Sequence, residues 1–326
     1  MAGGPILTGD IGGTKTALAY YADGELVHAR RYASTGWADL TDIVRDFLAR
    51  HDERPRRACF GVAGPVVDNA AKTTNLPWTV EAGELADVLD GAPVMLINDL
   101  EAVAHGLAVA GDEAFVTLNA GTGHDEGNRA VIAAGTGLGQ AGLFWDGRRH
   151  HPFASEGGHA SFAPRNDREV ALLRFLAAEY GHVSAERVLS GPGLYNVYRF
   201  VRTEGRFEEP AWLSERLAAE DPSAVVSECA LDGRSPLCRE SLRFFASLYG
   251  AEAGNLALKT LATGGVFVAG GIAPKVLPAL TDGVFLEGFV SKGRMRPLLE
   301  AMPVRVVAHP HLALLGAAHA AVADHG

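Results

Sequence analysis

The chain has 326 residues, of which 48% are hydrophobic and 21% charged, and its formal net charge is -10. This length can bury a sizeable core without cross-links, in two domains or in one large one. The acidic balance argues against nucleic acid or an anionic membrane as a partner, since either would select a basic face, and it leaves any polyanionic ligand to local backbone N–H groups, helix N-termini or Mg²⁺.

In chain order, Met1-Ala2-Gly3-Gly4-Pro5 has neither the basic region nor the apolar core of a targeting signal. Apolar runs along the chain are interrupted by Gly, Pro or Lys before they reach bilayer length, so a cytoplasmic protein is expected. Ile6 to Tyr21 reads as a β-hairpin, two β-prone runs around Gly12-Gly13. Gly24 to Ser34 continues the sheet. Leu40, Ile43, Val44, Phe47 and Leu48 have helical spacing over residues 38–50. Buried strands follow at Arg57 to Val66, ending on Gly64-Pro65, and at Val94 to Ile97, ending on Asn98-Asp99. An Ala-rich helix then runs to about residue 109.

A second unit starts near residue 115. Ala130 to Phe144 is again strand, glycine turn and strand, which repeats the layout of the opening hairpin and suggests a duplicated α/β architecture. Residues 166–260 are mostly helical, most clearly from Glu240 to Thr260. Within this stretch, His182 to Arg187 reads as a helix start capped by Ser184, with Glu186 in its first turn. Strands at Val266–Ala269 and 303–308 precede a closing Ala-rich helix, Leu312 to Ala323. No linker divides the chain, so a domain boundary must be a hinge between packed elements near residues 108–114 and 300. Cys59, Cys229 and Cys238 stand apart and match no zinc or disulfide pattern, as expected of reduced thiols.

Three glycine clusters follow apolar strands: Gly9-Asp10-Ile11-Gly12-Gly13-Thr14, Gly135-Thr136-Gly137-Leu138-Gly139, and Gly270-Gly271. None is followed by the Lys-Ser/Thr of a P-loop, and none has dinucleotide-fingerprint spacing. Together they suggest a phosphate cradle of backbone N–H groups, with the hydroxyls of Thr14 and Thr136 adding hydrogen bonds. Asp10, read as lying inside the first turn, would repel a phosphate unless a cation intervened. It is therefore assigned to Mg²⁺, directly or through water; the competing reading is an Asx turn. Asn98-Asp99 suits either a helix cap or a catalytic pair at a strand end. Glu156-Gly157-Gly158-His159 sets a carboxylate and an imidazole around two glycines, with no second zinc ligand in register.

These segments, with His182 to Leu194 (HVSAERVLSGPGL) and Val268 to Ile272, occur in the order found in the bacterial glucokinase family, which the chain resembles from about residue 6 to 320. The HVSAERVLSGPGL stretch is the most specific part; the Asp-x-Gly-Gly-Thr turn is shared across sugar kinases, actin and heat-shock ATPases. The resemblance implies an α/β, two-domain actin-like (ribonuclease H-like) fold with an interdomain cleft. Residues 1–110 plus 302–326 would form a small domain and 111–301 a large one. It implies phosphoryl transfer from ATP to the 6-hydroxyl of D-glucose, with Asp99 as base. Asn98, Asp99, Glu156, His159 and Glu186 would be sugar ligands, and the Gly9–Thr14 loop the ATP loop. A homodimer is also implied. Ser155 and Lys15 depart from the family's frequent glycine and asparagine, and the chain lacks the Cys-rich zinc motif of the related ROK sugar kinases. A kinase for another hexose or an N-acetylhexosamine is the alternative.

Overall fold

The computed structural model describes residues 4–73 and 76–323. The first three residues, read above for a targeting signal, and the last three of the 302–326 segment lie outside them. The chain divides into two compact units, with breaks at Ala114/Phe115 and Ala308/His309.

The first unit contains β1 (Ile6–Ile11), β2 (Lys15–Ala22), β3 (Glu25–Ala33), α1 (Leu40–Leu48), β4 (Arg57–Val62), β5 (Val66–Val67), β6 (Ala70–Lys72), β7 (Thr79–Glu81), α2 (Ala82–Val88), β8 (Val94–Asn98) and α3 (Asp99–Leu107). Its main sheet has the order β3-β2-β1-β4-β8, with an antiparallel meander on one side of β1 and parallel strands on the other; β5, β6 and β7 form a small separate sheet. Alternation of side chains sends Ala58, Phe60 and Val62 of β4 to one face and Cys59 to the other. On the first face α1 supplies Leu40, Ile43, Val44, Phe47 and Leu48, and its start is capped by Asp39, which accepts from the Asp42 N–H.

The second unit contains β9 (Phe115–Asn119), β10 (Arg129–Ala134), β11 (Leu138–Trp145), β12 (His150–Ser155), α4 (Asp167–Tyr180), α5 (Gly191–Thr203), α6 (Ala211–Ala219), α7 (Pro222–Leu231), α8 (Pro236–Thr260), β13 (Gly265–Ala269), α9 (Leu277–Thr281), α10 (Val284–Val290), α11 (Arg296–Ala301) and β14 (Val304–Val307). The sheet order is β12-β11-β10-β13-β14-β9. Apart from β9, it repeats the plan of the first sheet: an antiparallel meander β10-β11-β12, then parallel β13 and β14 beside β10. The long helix α8 is pinned to β10 by the buried Tyr249, whose hydroxyl receives the Ala134 N–H at 3.1 Å and donates to the Ile132 carbonyl at 3.2 Å.

The last helix, α12 (Leu312–Ala323), belongs to the first unit, where Ala317, Ala320 and Ala321 pack with Ile6, Cys59, Ile97 and Ala102. A side chain at Gly316 would overlap the Ala102 carbonyl, so small residues set how closely α12 approaches α3. The breaks fall away from the sequence-derived limits of 110/111 and 301/302. Residues 304–307 pair with β13 and β9, and this ladder holds 302–308 in the second unit.

Candidate active site

In the first unit, parallel β1, β4 and β8 bring the opening glycine segment and the Asn-Asp pair to one edge of the sheet. Ile11 is level with Val62, and Val62 with Asn98, so Asp10 and Asn98 lie at the carboxyl ends of strands flanking β4. Gly61 lies between them: a Cβ there would stand 3.4 Å from the Asp99 Cα and 3.7 Å from the Gly9 carbonyl oxygen. The carboxyl edge of parallel strands is where α/β folds place ligands.

Asp10 is not in the turn. It pairs with Ala17 and Gly61 inside β1, and the reversal is made by Gly12, Gly13 and Thr14, where the Gly12 N–H donates to the Lys15 carbonyl at 3.0 Å. The Ser34 hydroxyl braces this turn by donating to the Gly12 carbonyl at 2.8 Å. Burial pushes the Asp10 carboxyl up to about 6, against the opposing pull of the Arg31 guanidinium. Lys15 is exposed.

Asn98 caps α3. Its Oδ1 accepts the Leu100 N–H at 3.0 Å, and its amide donates to the Gly64 carbonyl at 3.1 Å, which ties β8 to the loop after β4. Asp99 Oδ1 accepts the same Leu100 N–H at 2.9 Å. The pair is thus a helix cap at the carboxyl end of β8.

In the second unit the predicted residues gather around Leu138, the first residue after the Gly135–Gly137 turn. Leu138 donates its N–H to Glu186 Oε2 at 2.9 Å. On the other side, Gly158 lies so close to the Leu138 carbonyl that any side chain there would overlap it. Backbone bonds from Ala185 to Ala160 at 2.8 Å and from Phe162 to Val183 at 2.9 Å hold the 156–162 and 183–186 segments together. Glu156 and His159 project from this frame with side chains 68% and 60% exposed, their carboxylate and Nε2 3.7 Å apart. Ser155, the departure from the family pattern, accepts the Gly157 N–H at 3.1 Å. Gly270 has φ +86° and stands against Ala134, and Ile272 donates to the Ala134 carbonyl at 3.2 Å, so the third glycine cluster abuts the end of β10.

The helix start at Ser184 is corrected. Ala185–Arg187 is a single 3-10 turn with no bond from the Ser184 side chain, and the Ser184 backbone is bridged to Ser161. The next helix, α5, is capped by Ser190, which accepts the Gly193 N–H at 3.0 Å and has proline in its first turn. The sequence reading missed two contributors, Gly61 and the Leu138 backbone. The glycine preceding Val62-Ala63-Gly64 was the available signal for the first; for the second, the Gly135–Gly139 cluster marked the turn but not which N–H the Glu186 carboxylate takes.

All three cysteines are free and buried. Among the described residues, the one group of three possible metal ligands within mutual reach is His28, His51 and Glu53. No helix among them is long and apolar enough to cross a membrane.

Two α/β units, each with a meander followed by parallel strands, give a glucokinase-like α/β fold. The family model described as Glucokinase matches residues 7–324. The chain is 43% identical to a glucokinase of Trichormus variabilis over 96% of this chain and 97% of that one. The crystal structure of a glucokinase from an Antarctic psychrotroph matches with a TM-score of 0.81 at 32% identity, over 97% of this chain and 98% of the other. A glucokinase of Balamuthia mandrillaris, solved in complex with glucose, shares the fold with a TM-score of 0.81 at 21% identity, over 98% of this chain and 93% of its own. The chain belongs to the glucokinase family.

Proposed function

We propose that the protein transfers the γ-phosphoryl group of ATP to the 6-hydroxyl of D-glucose, giving glucose 6-phosphate and ADP. The observation that carries this reading is the meeting of Glu186 and the Glu156–His159 loop on Leu138, beside a glycine turn rich in backbone donors. Asn98, Glu156, His159 and Glu186 hydrogen-bond the sugar hydroxyls. Such a site discriminates strongly, because a missing or inverted hydroxyl leaves a polar group unpaired. Asp99 accepts the hydrogen bond of the 6-hydroxyl and orients it in line with the γ-phosphorus. In a loose transition state this positioning outweighs early proton removal, and the proton reaches the carboxylate late.

The turns at Gly12–Thr14, Gly135–Gly137 and Gly270-Gly271 face the nucleotide phosphates; Gly9, Asp10 and Ile11 support the first of them from within β1, and the Gly12 and Gly135 N–H groups close their own turns on the Lys15 and Gly137 carbonyls. Asp10 fits a Mg²⁺ role: it is a carboxylate whose burial disfavours its charge and which a cation would relieve. One carboxylate plus phosphate oxygens and water is an ordinary Mg²⁺ set, so Asp10 would hold the ion, directly or through water. When bound, Mg²⁺ neutralises charge on the phosphates.

The first unit acts as a small domain and the second as a large one, in a ribonuclease H-like two-domain fold whose cleft holds glucose and excludes competing water. The protein works as a cytoplasmic homodimer without a nucleic-acid partner. The test is turnover with ATP and Mg²⁺ across glucose, mannose, fructose and N-acetylhexosamines, read by coupled ADP detection. The highest kcat/KM is expected for glucose. Preference for another hexose would replace the substrate, and hydrolysis indifferent to every sugar would overturn the reading.

A further inference from the structure

We propose that the Glu186 carboxylate couples the sugar site to the nucleotide-facing glycine turn, through the hydrogen bond it accepts from Leu138; the inference rests on the site reading given under Proposed function. Glu186 Oε2 accepts the Leu138 N–H at 2.9 Å and occupies the place a side chain on Gly137 would fill. Its other oxygen remains available for a sugar hydroxyl. The carboxylate therefore divides its two acceptors between ligand and turn.

A closed circuit of hydrogen bonds makes the link stiff. The Ser190 hydroxyl donates to the Glu186 carbonyl at 2.8 Å. The Gly191 N–H, next in the chain, donates to the Gly135 carbonyl at 2.8 Å. The Gly135 N–H donates to the Gly137 carbonyl, also at 2.8 Å, closing the turn. Leu138 then returns the circuit to the Glu186 side chain. Gly158 against the Leu138 carbonyl adds the Glu156–His159 loop to the same residue. Movement of the Glu186 carboxylate on binding a sugar is transmitted to the Leu138 N–H, and the turn that presents Gly135, Thr136 and Gly137 must follow. Coupling is reciprocal, so a nucleotide on the turn holds the carboxylate ready for the sugar.

The test is isothermal titration of glucose without nucleotide and at saturating Mg²⁺-AMPPNP. The ratio of the two dissociation constants is the coupling factor. For the unaltered protein it is expected to be about 5 or more, the lower end of ordinary allosteric coupling. Gly137→Ala keeps the carboxylate but fills its place, and the factor should fall to about 1. Gly135→Ala adds a methyl that meets nothing within 4 Å and should keep the original factor, whatever it does to nucleotide affinity. Glu186→Gln still offers an oxygen to the Leu138 N–H, so it should bind glucose more weakly with the factor preserved, whereas Glu186→Ala should lose both. The glutamine and alanine pair decides the matter if Gly137→Ala does not fold. A factor near 1 in the unaltered protein, or one that survives in Gly137→Ala or Glu186→Ala, overturns the link. Unchanged glucose affinity in Glu186→Ala without nucleotide overturns the sugar-ligand reading itself.

Discussion

Asp99 and Asp10 are both carboxylates at the ligand edge of the first sheet, yet their surroundings suit them to different work. Asp99 shares the Leu100 N–H with the capping Asn98, which orients its carboxylate at the start of α3. Asp99→Asn keeps that acceptor and removes the carboxylate proposed as base, so kcat should fall by about two to four orders of magnitude while the melting temperature holds. Near-normal turnover would take Asp99 out of the chemistry. Asp10 is held at about 6 by burial, above its ordinary 3.8. The folded protein therefore keeps a proton that the unfolded chain gives up as pH rises through about 4 to 6. The stability that comes from a neutral Asp10 is fully present below pH 4 and is lost by the time pH passes 6. Asp10→Asn should make the ligand-free protein more stable at pH 8, by about 1–3 kcal/mol, with the gain vanishing near pH 4. The same variant should turn over poorly. Thermal melts at the two pH values check this; an equal gain at both would deny the titration.

At the level of elements, the first hairpin of each meander carries its own turn chemistry, and for that reason it was legible. Gly12-Gly13 and Gly135-Thr136-Gly137 lie between β-prone runs, and apolar alternation set both pairs of strands. The helices α1 and α8 were likewise written in their spacing, and α12 in its alanine content. Strand β12 was not, because His150-His151-Pro152 has weak strand propensity; the proline is tolerated because β12 is an edge strand. The 183–186 segment was misread because Ser-Ala-Glu-Arg has the local chemistry of a helix start, while its real constraint is pairing with residues more than twenty positions earlier. Long-range pairing of that kind leaves no local signal. Against Gly157 of the Glu156–His159 loop lies a buried polar chain: Gln140 donates to Glu252 at 2.9 Å, and Asn255 donates to the other Glu252 oxygen at 2.8 Å. Gln140→Leu strips one donor from a buried carboxylate and should cost about 1–3 kcal/mol. Urea denaturation measures it, and a cost below a few tenths would mean that water replaces the amide.

For the whole molecule, the legible part was the repeat of one strand plan, and the part that was not is where the chain passes from one unit to the other. Ladder pairing of β14 sets the second break, and Gly111 and Pro310, which stand close to the two breaks, do not fix where they fall. The convergence of Glu156, His159 and Glu186 was readable as a family likeness; its cause, packing about a single backbone amide, needed coordinates. Sedimentation equilibrium at micromolar concentration should give twice the 34.3 kDa chain mass. A single-chain mass there would remove the homodimer from the proposal.

Helix α12 covers the face of β1 and β4 that carries Ile6 and Cys59, although the segment from Phe115 to Ala308 separates it from them in the chain. Synthesis runs in the opposite sense to what that packing needs. When the ribosome has made the first sheet, the apolar cover for one side of it does not yet exist. The intervening unit holds its own continuous core and can fold as it emerges, while the opening strands wait with Ile6 and Ile97 unshielded. The amino-terminal sheet therefore completes its packing only once the Ala-rich helix has been made.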